Sequence, residues 1–184
     1  MKILIACEFS GIVRDAFIAM GCDAISCDIL PSERPGPHIQ DDVLSHLTER
    51  WDMMIAHPPC THLATSGARW FQYKQKEQLE ALDFVKTLLS APIKRIALEN
   101  PISIISTRIR KPDQIVHPWW FGCGEKKSTC LWLKNLPLLK PTCIVSGRKP
   151  KIHMMPDTKN RWKNRSRTYQ GLANAMAEQW SNVD

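Results

Sequence analysis

Apolar and polar positions along this chain switch repeatedly between a strand period and a helix period. Lys2 to Ala6 is a short apolar run of strand type, and Cys7 to Gly11 follows as a turn. Ile12, Val13, Ala16, Phe17 and Met20 then recur at helical spacing until Gly21 stops the pattern. Asp23 to Cys27 predicts a second strand. Strand, helix and strand in such quick succession predict a βαβ unit, and with it a parallel sheet and a right-handed crossover. Leu30 to His38 contains Pro31, Pro35, Gly36 and Pro37 and predicts an irregular loop. A brief strand around Ile39, a short helix from Val43 to Thr48 and a strand from Met53 to Ala56 follow.

The second half repeats the alternation. Trp70 to Leu89 predicts one long helix, with Leu79, Leu82, Phe84, Val85 and Leu88 apolar and Pro92 closing it. Arg95 to Leu98 predicts a strand running directly into Glu99, Asn100 and Pro101. Ile102 to Trp120 has mixed signals and is expected to be irregular. Thr129 to Leu133 reads as a buried strand, and Leu172 to Trp180 as a final helix begun after Gly171. The pattern as a whole predicts one α/β domain over 1–184, doubly wound about a mostly parallel sheet.

Composition narrows the class. With 184 residues, 43% of them hydrophobic, the chain can bury one real core and no second domain of ordinary size. The apolar start meets Glu8 too soon for a secretory signal, and no run approaches the roughly 18 apolar residues of a membrane span. A cytoplasmic protein with no membrane partner is expected. The seven cysteines form no Cys-x-x-Cys pair, so neither a disulfide framework nor a paired-thiol zinc site is suggested. His57, Cys60 and His62 are crowded and lack an evident fourth ligand, so no metal is expected.

The net charge of +7 is uneven. The proline-spaced segment 134–167 contains ten Lys or Arg against Asp157 alone, so it carries +9 and leaves −2 for the remainder. Such a segment suits a polyanionic partner, although solvated surface lysines give the same count.

The candidate chemistry lies where strands end, which is where open α/β sheets place their ligands. Glu8, Asp28 and Asp42 follow the first three strands and would form an acidic rim. A carboxylate after the second strand typically accepts from ribose hydroxyls. The glycine-rich fingerprint for a pyrophosphate is missing, because Cys7 to Gly11 contains one glycine. A nucleoside cofactor without phosphates accounts for both facts, and S-adenosylmethionine, with its positive sulfonium, is such a molecule. Asp28 and Asp42 would equally serve as caps of turns or helices.

Cys60 follows Pro58-Pro59, whose rings stiffen the loop. A thiol so placed suits a nucleophile, though free cysteines also serve as small buried hydrophobes. Glu99 follows a different strand and is also close to a proline, Pro101. Were the two strands neighbours, thiol and carboxyl would face one pocket, where a thiolate could attack carbon 6 of a pyrimidine while the carboxyl bonds the ring nitrogen and exocyclic amine. Glu99 would then be protonated for part of the cycle, as a desolvated carboxyl can be. A structural carboxylate bonding backbone amides is the alternative.

Phe9-Ser10-Gly11, Asp28, Asp42, Pro59-Cys60, Glu99-Asn100, the strand at Thr129 to Leu133 and the stretch from Gln170 through Asn174 to Ala177 occur in the order of the DNA cytosine-5 methyltransferase motifs. The chain resembles that family over nearly its whole length, especially the short phage-type versions without a target-recognition domain. The resemblance implies a Rossmann-like S-adenosylmethionine-dependent methyltransferase fold. It implies that Phe9 stacks on the adenine of the cofactor, with Gly11 in the same motif. Asp28 would hold the ribose, Asp42 the adenine amine, and Asn174 would help close the cofactor site. Cys60 would be the nucleophile and Glu99 the ligand of the target ring, with Pro59 and Asn100 beside them.

This sequence departs from the family pattern at three places. Thr61 stands where glutamine usually follows the cysteine. Lys126, Lys127 and Thr129 stand where an arginine pair is expected, and Lys lacks the bidentate fork of Arg. The basic segment 134–167, with Arg165 and Arg167 near its end, occupies the place of a recognition domain; it could grip phosphates but predicts little sequence preference. The implied reaction is methyl transfer to carbon 5 of cytosine in duplex or single-stranded DNA. The same chemistry on a free deoxycytidine nucleotide avoids the few kcal/mol of base flipping. A catalytically silent nucleic-acid-binding module of the same fold is the third reading.

Overall fold

The computed structural model describes residues 1–152 and 154–183. Its centre is a seven-stranded sheet built from β1 (Lys2–Ala6), β2 (Asp23–Asp28), β3 (His38–Gln40), β4 (Met53–Ala56), β5 (Arg95–Pro101), β6 (Gln114–Val116) and β7 (Thr129–Lys134), in the spatial order β3-β2-β1-β4-β5-β7-β6. Strands β1 to β5 pair in parallel, and β7 enters antiparallel between β5 and β6. The chain winds outward from β1 to β3 and returns to β4 on the other side of β1. That reversal opens a crevice at the carboxyl ends of β1 and β4, where ligands bind in sheets of this kind.

Alternation along the strands divides the core in two. Ile3, Ile5, Met53, Ile55, Ala97 and Leu131 face α1 (Ile12–Ala19) and α5 (Gln170–Trp180), whose Val13, Phe17, Leu172, Met176 and Trp180 are buried against them. Leu4, Met54, Ala56, Ile96, Leu98 and Trp132 face the other way, toward Leu82, Val85 and Leu88 of α2 (Gln75–Leu89). Covering both faces explains why β1 and β4 are apolar without alternation.

A buried ionic network holds the first crossover. Arg14 is fully buried within the apolar stripe of α1, with its guanidinium donating to Ser26, Ser32 and the carbonyls of Arg34 and Pro35 and pairing with Asp15. It fastens the proline-rich loop after β2 to the sheet. Glu8 is also buried, and its carboxylate accepts from the amides of Val13 and Arg14 and from the Ser10 hydroxyl. Glu8 therefore caps α1, whose N-cap Gly11 has no side chain to do so, and takes no part in an acidic rim.

Four sequence expectations change. The helix predicted over Trp70 to Leu89 is broken at Lys74: Thr65–Tyr73 is a 3-10 segment without a buried residue, and only from Gln75 does an apolar stripe meet the sheet. Leu79 is consequently exposed. Residues 102–120 contain α3 (Ile105–Arg108), β6 and a 3-10 turn at Pro118–Trp120; β6 owes its existence to pairing with β7, which a three-residue pattern cannot announce. The basic segment includes α4 (Arg161–Ser166). Finally, α5 starts at Gln170, so Gly171 lies inside it. Glycine is required there because a Cβ would stand 1.8 Å from the Phe121 carbonyl oxygen.

Gly171→Ala should therefore destabilise the fold by roughly 1–3 kcal/mol, the usual cost of overpacking a close contact. The midpoint of urea denaturation checks this, and an unchanged midpoint would mean that Phe121 does not press on α5.

Candidate active site

Strand pairing brings the predicted nucleophile and ring ligand together. Ala56 lies opposite Leu98 in the parallel ladder, so the next residues, His57 and Glu99, are level just past the end of the β4–β5 pairing, while β5 runs on to Pro101 against β7. Three positions beyond His57, Cys60 begins a tight turn in which its carbonyl accepts from the amides of Leu63 and Ala64 at 3.0 and 2.9 Å. Asn100 ties the loop down by donating to the Pro58 carbonyl at 2.9 Å. One pocket is lined by His57, Pro59, Cys60, Glu99 and Asn100 from these strand ends, and by Lys127 and Thr129 at the start of β7. Its other wall is Arg165 to Tyr169, between α4 and α5.

The charges in the pocket are set by its walls. Glu99 accepts from Thr129 Oγ1 on one oxygen and from His57 Nδ1, at 3.2 Å, on the other. Burial pushes the Glu99 carboxyl up, but the His57 hydrogen bond and charge, the Thr129 hydroxyl and nearby Lys127 together hold it below the usual carboxylate range. These partners favour the ionised form, so the proton that Glu99 is expected to carry for part of a cycle has to reach it from a neighbouring group or a bound ring. Burial likewise pushes the Cys60 thiol above its ordinary value; Lys127 draws it back down, Glu99 raises it, and Arg165 lowers it.

The remaining substrate candidates separate. Lys127 lines the pocket with its ammonium donating to the Arg165 carbonyl at 3.1 Å, whereas Lys126 is exposed and does not line it. The amides of both lysines donate to buried Glu125, which also accepts from Ile152; this acid, unremarked in the sequence, shapes the turn. Thr61 is exposed and outside the pocket lining. Arg167 lines the pocket, but its guanidinium makes a two-pronged pair with Glu33 at 2.7 and 2.8 Å, so it is occupied rather than free for a phosphate. Tyr169, missed in the sequence, stands in the wall because the chain turns there into α5.

The cofactor candidates lie at the ends of β1, β2 and β3. Asp28 is part-buried and accepts from the Leu30 amide at 2.9 Å, with burial raising its pKa. Asp42 is exposed, and caps the 3-10 turn Val43–His46 by accepting from Leu44. Both act on one point: the part-buried Cys7 thiol, in a left-handed backbone conformation, is pushed far up by desolvation, then by Asp28, Cys27 and Asp42. Two carboxylates acting on Cys7 make this end of the crevice suited to a cation or to hydroxyl donors. Phe9 is nearly covered, with the Trp162 ring 6.2 Å away and the Glu33 amide bonded to its carbonyl. Gly11 is enclosed by protein: a Cβ there would stand 2.5 Å from the Arg14 guanidinium. Its φ of +72° and that packing account for the glycine, so it is not an open cofactor contact. Asn174 is exposed on α5 and accepts from Gln170, away from the Cys60 pocket.

No family model and no curated protein matches the chain. Among solved structures, an E. coli protein described as a "putative DNA modification methyltransferase encoded within prophage" superposes with a TM-score of 0.50 at 13% identity. The match takes in 86% of this chain and 56% of that one, so this chain spans just over half the length of that protein. The likeness is one of fold. The doubly wound sheet with one reversed strand is the Rossmann-like methyltransferase fold. Among the described residues, no helix is long and apolar enough to cross a membrane.

Alkylation of Cys60, followed on its own peptide by mass spectrometry, should accelerate with pH through and above the ordinary thiol range of about 8.5. Lys127→Ala should raise the thiol pKa and slow alkylation at pH 8. A rate unaffected by the substitution would separate Lys127 from the sulfur.

Proposed function

We propose that this protein transfers a methyl group from S-adenosylmethionine to carbon 5 of cytosine in DNA, with little sequence selectivity. The supporting observation is the single pocket in which Cys60, Glu99, Lys127, Thr129 and Arg165 meet. S-adenosylmethionine, when bound, supplies the methyl group, and Asp28 and Asp42 are the residues suited to hold it.

Cys60 adds through sulfur to carbon 6 of the ring, and the electron pair of the carbon 5–carbon 6 bond becomes available to form the new bond at carbon 5. Loss of the carbon 5 proton to water then returns a pair to the ring and expels the Cys60 thiolate. Lys127 and Arg165 stabilise that thiolate at both ends of the cycle. Glu99 accepts from the exocyclic amine and, once protonated, donates to the ring nitrogen that gathers charge. Its hydrogen bonds to His57 and Thr129 fix its orientation, so little reorganisation accompanies attack.

The wall formed by Arg165 to Tyr169 also favours a second reading, in which the substrate is a deoxycytidine mononucleotide and Lys127 and Arg165 receive its phosphate. Incubation with methyl-labelled cofactor and, separately, duplex DNA, single strands and mononucleotide distinguishes the two. Label at carbon 5 of DNA cytosine, lost in Cys60→Ser and reduced about 100-fold or more in Glu99→Gln, is the expected result. Undiminished labelling by Cys60→Ser would remove the thiol from the reaction, and labelling of mononucleotide alone would select the second reading.

A further inference from the structure

We infer that His57 is a positioning residue for Glu99 and the store of the proton that Glu99 passes to a bound ring. The inference rests on the cytosine reading above, but the His57–Glu99 pair itself is independent of it. The pairing of Ala56 with Leu98 makes the two residues neighbours just past the end of the parallel ladder. The His57 side chain is 7% exposed and that of Glu99 20%, so their contact is largely shielded from water. A carboxylate only accepts, so at 3.2 Å from Oε2 it is His57 Nδ1 that carries the hydrogen. His57 Nε2 is buried without a hydrogen-bond partner. A ring held at one nitrogen only, beside an acid, is free to change its proton count without breaking other bonds.

The other groups facing this pair do not fill the role. Thr129 Oγ1 donates to the second Glu99 oxygen and also lies against the Asn100 carbonyl, but a hydroxyl does not titrate here. Cys60, on the same loop as His57, is the nucleophile. Lys127 points its amine at the Arg165 carbonyl, and Arg167 is engaged by Glu33. Burial, followed by Glu125, pushes the Tyr169 phenol well above its usual range, and burial likewise raises the Cys130 thiol of β7. Arg165 is a permanent cation. His57 alone both touches Glu99 and belongs to the residue type that exchanges protons near neutrality.

The step balances as follows. The cycle begins from the imidazolium form of His57, with hydrogen on both ring nitrogens: as the Cys60 sulfur pair forms the bond to carbon 6, the Nδ1 proton moves to Glu99 Oε2, and Glu99 donates it to the ring nitrogen. His57 is left neutral. When the carbon 5 proton departs to water and the thiolate is expelled, the ring nitrogen releases its proton to Glu99 and His57 Nδ1 regains it.

His57→Asn retains an amide donor in reach of Glu99 but has nothing to titrate. It should keep the melting temperature and hold KM within about threefold, while kcat falls about 100-fold and the kcat–pH profile loses a limb between about pH 5 and 8. A variant with the kcat and pH profile of the parent would overturn the proton role. A second measurement needs no turnover. Ring nitrogen shifts of histidine-labelled protein, read at a pH where the ring is neutral, should place the hydrogen on Nδ1 of His57 in the parent, a preference lost in Glu99→Ala, which removes the acceptor. Shifts indifferent to Glu99→Ala would overturn the pair itself. If those shifts respond while no cytosine substrate is methylated, the cytosine reading fails and the pairing of His57 with Glu99 stands.

Discussion

The hydrogen-bonded pairing of β4 with β5 is the constraint from which the site follows. Ala56 beside Leu98 places His57 beside Glu99, and the prolines after His57 carry Cys60 back over the same edge. A slip of one residue would exchange the two faces of the sheet, driving Met53 and Ile55 out of the layer beneath α1 and α5. The core therefore enforces the register, and the register enforces the chemistry. No residue of the pocket has to be held by a specific bond to its partner for the two strand ends to meet.

The second organising feature is the basic stretch, which folds back over both halves of the crevice. Trp162 and Lys163 of α4 sit by the Phe9 ring, and Arg167 is locked to Glu33 in the loop after β2. Lys127 is bonded to the backbone of Arg165. In a chain of this size the segment thus performs a local task, walling the pocket and bringing Arg165 toward the Cys60 sulfur. Part of its charge is consequently turned inward. Arg167 in particular balances Glu33, whose carboxyl that guanidinium holds below its usual range.

The two ends of the crevice differ in character. Around Cys7, two carboxylates raise an already desolvated thiol and make the site suited to a cation. Around Cys60, Lys127 and Arg165 oppose the effect of burial and make the site suited to a developing thiolate. The same residue type thus sits in opposite fields at the ends of β1 and β4.

Patterning alone determined the parallel half of the sheet, because α1 repeats the helix period, while β1, β2, β4 and β5 are short apolar runs with Gly or Pro in the turns beside them. It also singled out Cys60 and Glu99, since each comes just after an apolar run and stands within two residues of a proline. What it could not supply was partnership across the chain. Glu8 capping α1, Arg14 buried beneath Gly11 and Gly36, Glu125 holding three amides and Gly171 against Phe121 are all set by distant neighbours. The same holds for His57, whose place on Glu99 depends on strand order rather than on any local spacing. Local periodicity is written in consecutive residues, whereas hydrogen-bond partners, burial and the field at a thiol arise only when the sheet has brought separate segments within a few ångströms of one another.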